Sequence, residues 1–97
     1  KLPKSLRYIG ANAFYKANIQ EITIPSKVTN IGKYAFEDCK KLKKVVIKSK
    51  RITRIKKDCF KGIHKKAVID VPNSCQAKYK KMLKKANKWK NTSIKIK

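Results

Sequence analysis

Ile24-Pro25-Ser26-Lys27-Val28-Thr29-Asn30-Ile31-Gly32-Lys33-Tyr34-Ala35-Phe36-Glu37-Asp38-Cys39-Lys40-Lys41-Leu42-Lys43-Lys44-Val45-Val46-Ile47 is the stretch from which the rest of the chain is read. Its apolar and small positions recur on both sides. Upstream, Leu2-Pro3, Leu6, Ile9-Gly10, Ala13-Phe14 and Ala17 match Ile24-Pro25, Val28, Ile31-Gly32, Ala35-Phe36 and Cys39. Downstream, Ile47-Lys48, Ile52, Ile55-Lys56, Cys59-Phe60 and Ile63 match again. Phe14, Phe36 and Phe60 step by 22 and then 24 residues, and Ile9, Ile31 and Ile55 step by the same amounts. Val71-Pro72, 24 residues after Ile47-Lys48, opens a partial fourth copy. A period in this range marks a repeat architecture, in which stacked units bury a core that no single unit can bury.

Within each copy the spacing names the local structure. Ile22 and Ile24, Val45 and Ile47, and Ile69 and Val71 alternate with Thr23, Val46 and Asp70. Period two means a short strand with one face buried. Ala35-Phe36 followed by Cys39 has helical spacing and predicts a single helical turn. Gly10 and Gly32 lie before it, where a turn calls for positive φ. Each unit then reads strand, turn, second short extended piece, helical turn. Phe14, Phe36 and Phe60 form a stacked ladder in the core. Tyr8, Tyr15 and Tyr34 flank core positions and are candidates for surface contact.

After Asn73 the repeat gives way to a basic segment. Asn73-Ser74, behind Pro72, is a candidate N-cap. Tyr79, Met82, Leu83, Ala86 and Trp89 make one apolar stripe on a helix of roughly 12–15 residues. Asn91-Thr92 ends it, and Ser93-Ile94-Lys95-Ile96 alternates like a strand. A solenoid needs a terminal unit over its last open core, so residues 73–97 are expected to be a basic C-terminal cap on repeats spanning 1–72. As an isolated peptide such a basic amphipathic helix would suit a membrane surface; here its stripe has a nearer use. The chain opens at Lys1-Leu2-Pro3 without an initiator methionine and without a matching cap. It is therefore expected to be a piece of a longer protein whose further repeats precede Lys1.

The pattern Ile24-Pro25-x-x-Val28-x-x-Ile31-Gly32-x-x-Ala35-Phe36-x-x-Cys39-x-x-Leu42-x-x-Val45-x-Ile47 resembles the bacterial surface-antigen (BspA-like) leucine-rich repeat family. The resemblance covers residues 2 to about 72. The third copy departs from it: Lys48 replaces the proline, Lys56 the glycine, Cys59 the alanine and Ile63 the small residue. The resemblance implies an α/β repeat solenoid, right-handed, of about three 22–24-residue repeats with a C-terminal helical cap. It also implies a non-enzymatic adhesion or protein-binding module, extracellular or on the cell surface, of bacteria and some protists.

Composition constrains what such a module binds. The 97 residues hold 28 lysines and arginines against 5 acids, a net charge of +23, and 41% are hydrophobic. That is one domain with enough apolar residues for a core, unlike a disordered basic tail. No apolar run approaches the roughly 18–20 residues of a membrane span. The charge concentrates anionic polymers near the surface, whether as a function or as the by-product of a solvated lysine coat. Lysine outnumbers arginine 25 to 3 and is scattered over every repeat. Dedicated phosphate and base recognition prefers arginine, so a nucleic-acid site is disfavoured.

Catalytic and metal patterns are weak. Cys39, Cys59 and Cys75 are odd in number and 20 and 16 residues apart, unlike a zinc knuckle or a thioredoxin-like pair; whether any pair forms a disulfide is left open. Cys59 and His64 are five apart, a spacing open to nucleophile–base or ligand readings, but Cys59 falls in the core-facing column of Ala13 and Ala35. With acids only at Glu21, Glu37, Asp38, Asp58 and Asp70, acid–base chemistry lacks its usual parts, and no cofactor is expected. If the solenoid presents a recognition face, strand alternation places Glu21, Thr23, Lys44, Val46, Val68 and Asp70 on it. Its partner would be a protein or an acidic glycan, and the mixed charge looks more like a protein-contact surface than a phosphate track. Two other readings stay open, a spacer resting on anionic wall polymer and charge-driven nucleic-acid binding. Oligomeric state is not readable.

Overall fold

The computed structural model describes residues 2–97; Lys1, the first residue of the expected repeat segment, lies outside them. Seven short strands run in chain order as β1 (Tyr8–Ile9), β2 (Glu21–Ile24), β3 (Asn30–Ile31), β4 (Lys44–Ile47), β5 (Arg54–Ile55), β6 (Val68–Asp70) and β7 (Lys95–Ile96), with one helix, α1 (Gln76–Asn87), between β6 and β7. They form two sheets, ordered β1-β3-β5 and β2-β4-β6-β7, and every pairing is parallel. Register follows the sequence period. Ile9 lies beside Ile31 and Ile31 beside Ile55, while Ile22, Val45 and Ile69 share another rank. Each copy of the motif therefore makes one coil, and equal positions stack.

The core is that stack of columns. Ile24, Val28, Ile31, Ala35, Phe36, Cys39, Leu42 and Val45 of the second copy are all wholly buried. Phe14, Phe36 and Phe60 lie parallel, with centroids 5.0 Å apart at each step and interplanar angles of 3° and 5°. The irregular third copy keeps its place, with Ile52, Cys59, Phe60 and Ile63 all buried.

Two local expectations are corrected. The glycines of the Ile-Gly pairs do not supply positive φ. That conformation falls on Asn12, Tyr34 and Asp58 and, four residues later in each coil, on Lys16, Asp38 and Gly62. Nor is the segment around Ala35-Phe36 a helical turn. It is a run of tight turns, Ala35 N–H to Gly32 O, Glu37 N–H to Tyr34 O and Cys39 N–H to Phe36 O. The first and last carry their positive-φ residue in third place, where a turn reverses chain direction. Asn, Asp and Gly tolerate this conformation, which accounts for four of the six positions. Gly32 is small for a different reason. A Cβ there would meet Ala11 N at 2.6 Å, Gly10 C at 2.7 Å and Ile9 O at 2.8 Å, all backbone of the adjacent coil. Its N–H donates to Ile9 O at 2.7 Å, against 3.0 Å for the Lys56 N–H to Ile31 O bond in the next coil. Gly32 is thus required by the backbone packed against it, while the spacing between coils is the same 5.0 Å at both steps of the phenylalanine ladder.

Between coils, backbone N–H groups of one turn region donate to carbonyls of the next. Tyr34 donates to Lys57 O, Phe36 to Cys59 O and Asp38 to Lys61 O. For the third coil the C-terminal segment supplies the corresponding acceptors. Asp58 N–H donates to Ala86 O at 3.0 Å, and Phe60 N–H to Asn87 Oδ1 at 2.7 Å. Trp89 Nε1–H donates to Phe60 O at 3.1 Å. On the other side of the coil, Tyr79 Oη accepts from Ile52 N–H at 3.1 Å and donates to Ser49 O at 2.8 Å. Beyond the helix, β7 extends the second sheet through Lys95 N–H to Ala67 O and Lys97 N–H to Ile69 O.

The expected stripe on α1 is partly redrawn. Its buried residues are Tyr79, Leu83 and Asn87, with Met82 and Ala86 half-buried at the margin, and Trp89, also half-buried, lies beyond the end of the helix instead of on its stripe. Asn73-Ser74 does not cap it. Asn73–Cys75 form a 3₁₀ turn, and the helix starts behind Cys75 with no side-chain cap bond. The C-terminus closes with Lys88 in the left-handed region, its N–H on Lys84 O.

Candidate functional site

The two-residue alternation of β2, β4 and β6 is carried into three dimensions by their in-register pairing. Glu21 lies beside Lys44 and Lys44 beside Val68; Thr23 lies beside Val46 and Val46 beside Asp70. All six residues singled out from the sequence therefore share one outward sheet face, in two adjacent ranks. Neighbouring strands lie about 4.8 Å apart. Glu21 and Lys44 place opposite charges side by side in one rank, and Val46 and Val68 sit diagonally to one another, half-buried. Glu21, Thr23, Lys44 and Asp70 around them are exposed.

Lys95 belongs to the same rank, beside Val68. The alternation of Ser93–Ile96 marked a strand, but nothing in it told which sheet the strand would join. Its position depends on the chain crossing the end of the coil and returning parallel to β6, which is a tertiary fact.

The surroundings of Cys59 do not activate its thiol. Burial pushes the Cys59 thiol up to about 12, opposed in smaller measure by a hydrogen bond from Asn87 Nδ2 at 3.7 Å. Activated cysteines have depressed values in electropositive, accessible surroundings, so this thiol sits on the opposite side of its ordinary value. His64 Nδ1 accepts the Lys66 N–H at 3.0 Å, a local turn contact. Cys39 is likewise pushed up, chiefly by burial, and donates to Phe14 O at 3.0 Å. Cys39, Cys59 and Cys75 all carry free thiols. Among the described residues no group of three or more His, Cys, Asp or Glu is placed to hold a metal ion. Among the described residues no helix is long and apolar enough to cross a membrane.

A family model described as BspA type Leucine rich repeat region (6 copies) matches residues 1–97. No curated protein and no solved structure matches the chain. Repeat domains of this family are typical of protein-interaction modules and are generally non-enzymatic, and the family is associated with bacterial surface proteins. The stacked parallel coils, the phenylalanine ladder and the match over the whole chain agree: this chain belongs to the BspA-type leucine-rich repeat family.

Proposed function

We propose that the chain is a non-enzymatic protein-binding module of an adhesive protein, secreted or displayed on a bacterial surface, and that it meets its partner with the outward face of β2, β4 and β6. The observation that carries the reading is the assembly of Glu21, Thr23, Lys44, Val46, Val68 and Asp70 into two aligned ranks. An apolar centre at Val46 and Val68 inside a rim of both charges is the anatomy of a protein contact. In this reading residues 1–72 are about three recognition repeats. They wind right-handed, as parallel crossovers within one sheet overwhelmingly do. Residues 73–97 are the cap, supported by the Tyr79, Asn87 and Trp89 bonds that stand in for a further coil.

Binding to an array of immobilised extracellular proteins tests this. Val46→Asp and Lys44→Glu are expected to weaken a partner that survives physiological salt by about tenfold or more; both variants stay folded, Val46→Asp at a lowered midpoint because its carboxylate lies beside Asp70. Retained binding in both variants would overturn the assignment of this face. A second reading draws on the +23 charge: a spacer that rests on anionic wall polymer. It predicts adsorption to such polymers that collapses steeply with salt and is indifferent to both substitutions.

A further inference from the structure

The sheet β1-β3-β5 has its own outward rank, independent of the face just described. Tyr8 lies beside Asn30 and Asn30 beside Arg54, while Ile9, Ile31 and Ile55 point inward. Tyr8 is 64% exposed, the most exposed large hydrophobic side chain among the described residues. Next to Arg54 the sheet edge and the last turns of α1 enclose a groove of about 660 Å³. Arg54, Lys56 and Lys57 line one wall, Lys85 and Lys88 the other, and Asp58 is the single acid. The groove is open to solvent and most of its lining surface is apolar, with Ile55, Met82 and Ala86 among the contributors.

Lys85, near the C-terminus of α1, is explained by the helix dipole, which favours cations there. The opposite wall has no helix end to compensate. Five exposed cations around one carboxylate give the groove a positive local field, and an anion between them is favoured by it. We propose that this groove, continued along Asn30 to Tyr8, is a binding track for an acidic polysaccharide. Sulfates or carboxylates would sit among the groove cations, Arg54 offering a paired set of donors. The apolar faces of the sugar rings would lie on Met82 within the groove and on the Tyr8 ring at its far end. A single-stranded nucleic acid wants successive aromatic platforms, and this rank holds one.

The test uses the 97-residue chain and a heparin-derived oligosaccharide at physiological salt. Two four-site variants carry the same net charge of +19: R54Q/K56Q/K85Q/K88N in the groove, and K27Q/K50Q/K66Q/K78Q on exposed lysines elsewhere. The groove variant is expected to lose about tenfold or more in affinity and the other less than about threefold; Tyr8→Ala is expected to lose severalfold. On the unaltered chain, amide shifts induced by the oligosaccharide should concentrate at residues 54–58 and 85–88. Equal loss in both four-site variants, shifts spread over the whole surface, no binding at physiological salt, or tighter binding of a single-stranded oligonucleotide of equal charge would each overturn the proposal. Val46→Asp leaves this site intact, so failure here and failure of the protein-binding face are separable.

Discussion

Tyr79→Phe removes one oxygen atom and tests how the last coil is closed. Tyr79 is wholly buried, and its hydroxyl is the partner of both Ile52 N–H and Ser49 O. The phenylalanine ring fills the same space, so the loss is in hydrogen bonding alone. Ile52 and Ser49 are themselves wholly buried, and a buried polar group left unpaired costs about 1–3 kcal/mol. A donor and an acceptor orphaned together put the loss at about 2–6 kcal/mol. For a domain of this size each kcal/mol lowers Tm by about 4–8 °C, so the midpoint should fall by about 10 °C or more. Guanidinium unfolding supplies the free energy, and native-state hydrogen exchange should show the Ile52 amide losing protection. Tyr15→Phe, on the surface, is the control and should stay within about 0.5 kcal/mol. If Tyr79→Phe also stays within that margin, or Ile52 keeps its protection, α1 does not complete the coil in the manner described.

Two further predictions follow from the packing. Gly32→Ala drives a Cβ into the backbone of the neighbouring coil and should cost about 2 kcal/mol or more in urea unfolding. Gly10→Ala meets nothing within 4 Å at ordinary negative φ, so it should be neutral or stabilise by up to about 1 kcal/mol. The Cys59 thiol is raised to about 12 in the folded chain from an ordinary 9.0. The folded state therefore holds the proton that the unfolded state gives up. The stability from this thiol is complete below pH 9 and declines by about 1.4 kcal/mol per pH unit between 9 and 12. Cys59→Ala, which restores the residue type of Ala13 and Ala35, should show a shallower alkaline decline than the parent when both are titrated with guanidinium from pH 8 to 11. Parallel curves would contradict the assignment.

Features that depend on stacking equal positions were legible in the sequence. The period alone aligns Phe14, Phe36 and Phe60, and the alternation in Ile22-Thr23-Ile24 and Val45-Val46-Ile47 separates core from surface. Features set by a neighbour from another part of the chain were not. Gly32 reads as a turn residue until the backbone of Gly10 and Ala11 is known to lie against it. Asn87 reads as a polar residue beyond an apolar stripe. Its burial is tolerated only because Phe60 N–H, Leu83 O and the Cys59 thiol meet its amide. Asn73-Ser74 carries cap chemistry, yet Pro72 leads into a three-residue 3₁₀ turn, and the helix starts only at Gln76. The groove is the clearest instance. Arg54 and Lys56 are some thirty positions from Lys85 and Lys88 and read as members of a uniform coat until α1 folds back beside β5.

Position-resolved crosslinking tests the central functional claim most directly. A photoreactive residue at Val46 and, separately, one at exposed Lys27 would be presented to immobilised extracellular proteins at physiological salt and again with salt raised severalfold. The proposed function predicts one protein product from position 46, retained at high salt because apolar contact at Val46 and Val68 is not screened, and none from position 27. Equal products from both positions, or products from position 46 that vanish with salt, would mean that the charge coat and not the sheet face holds the partner.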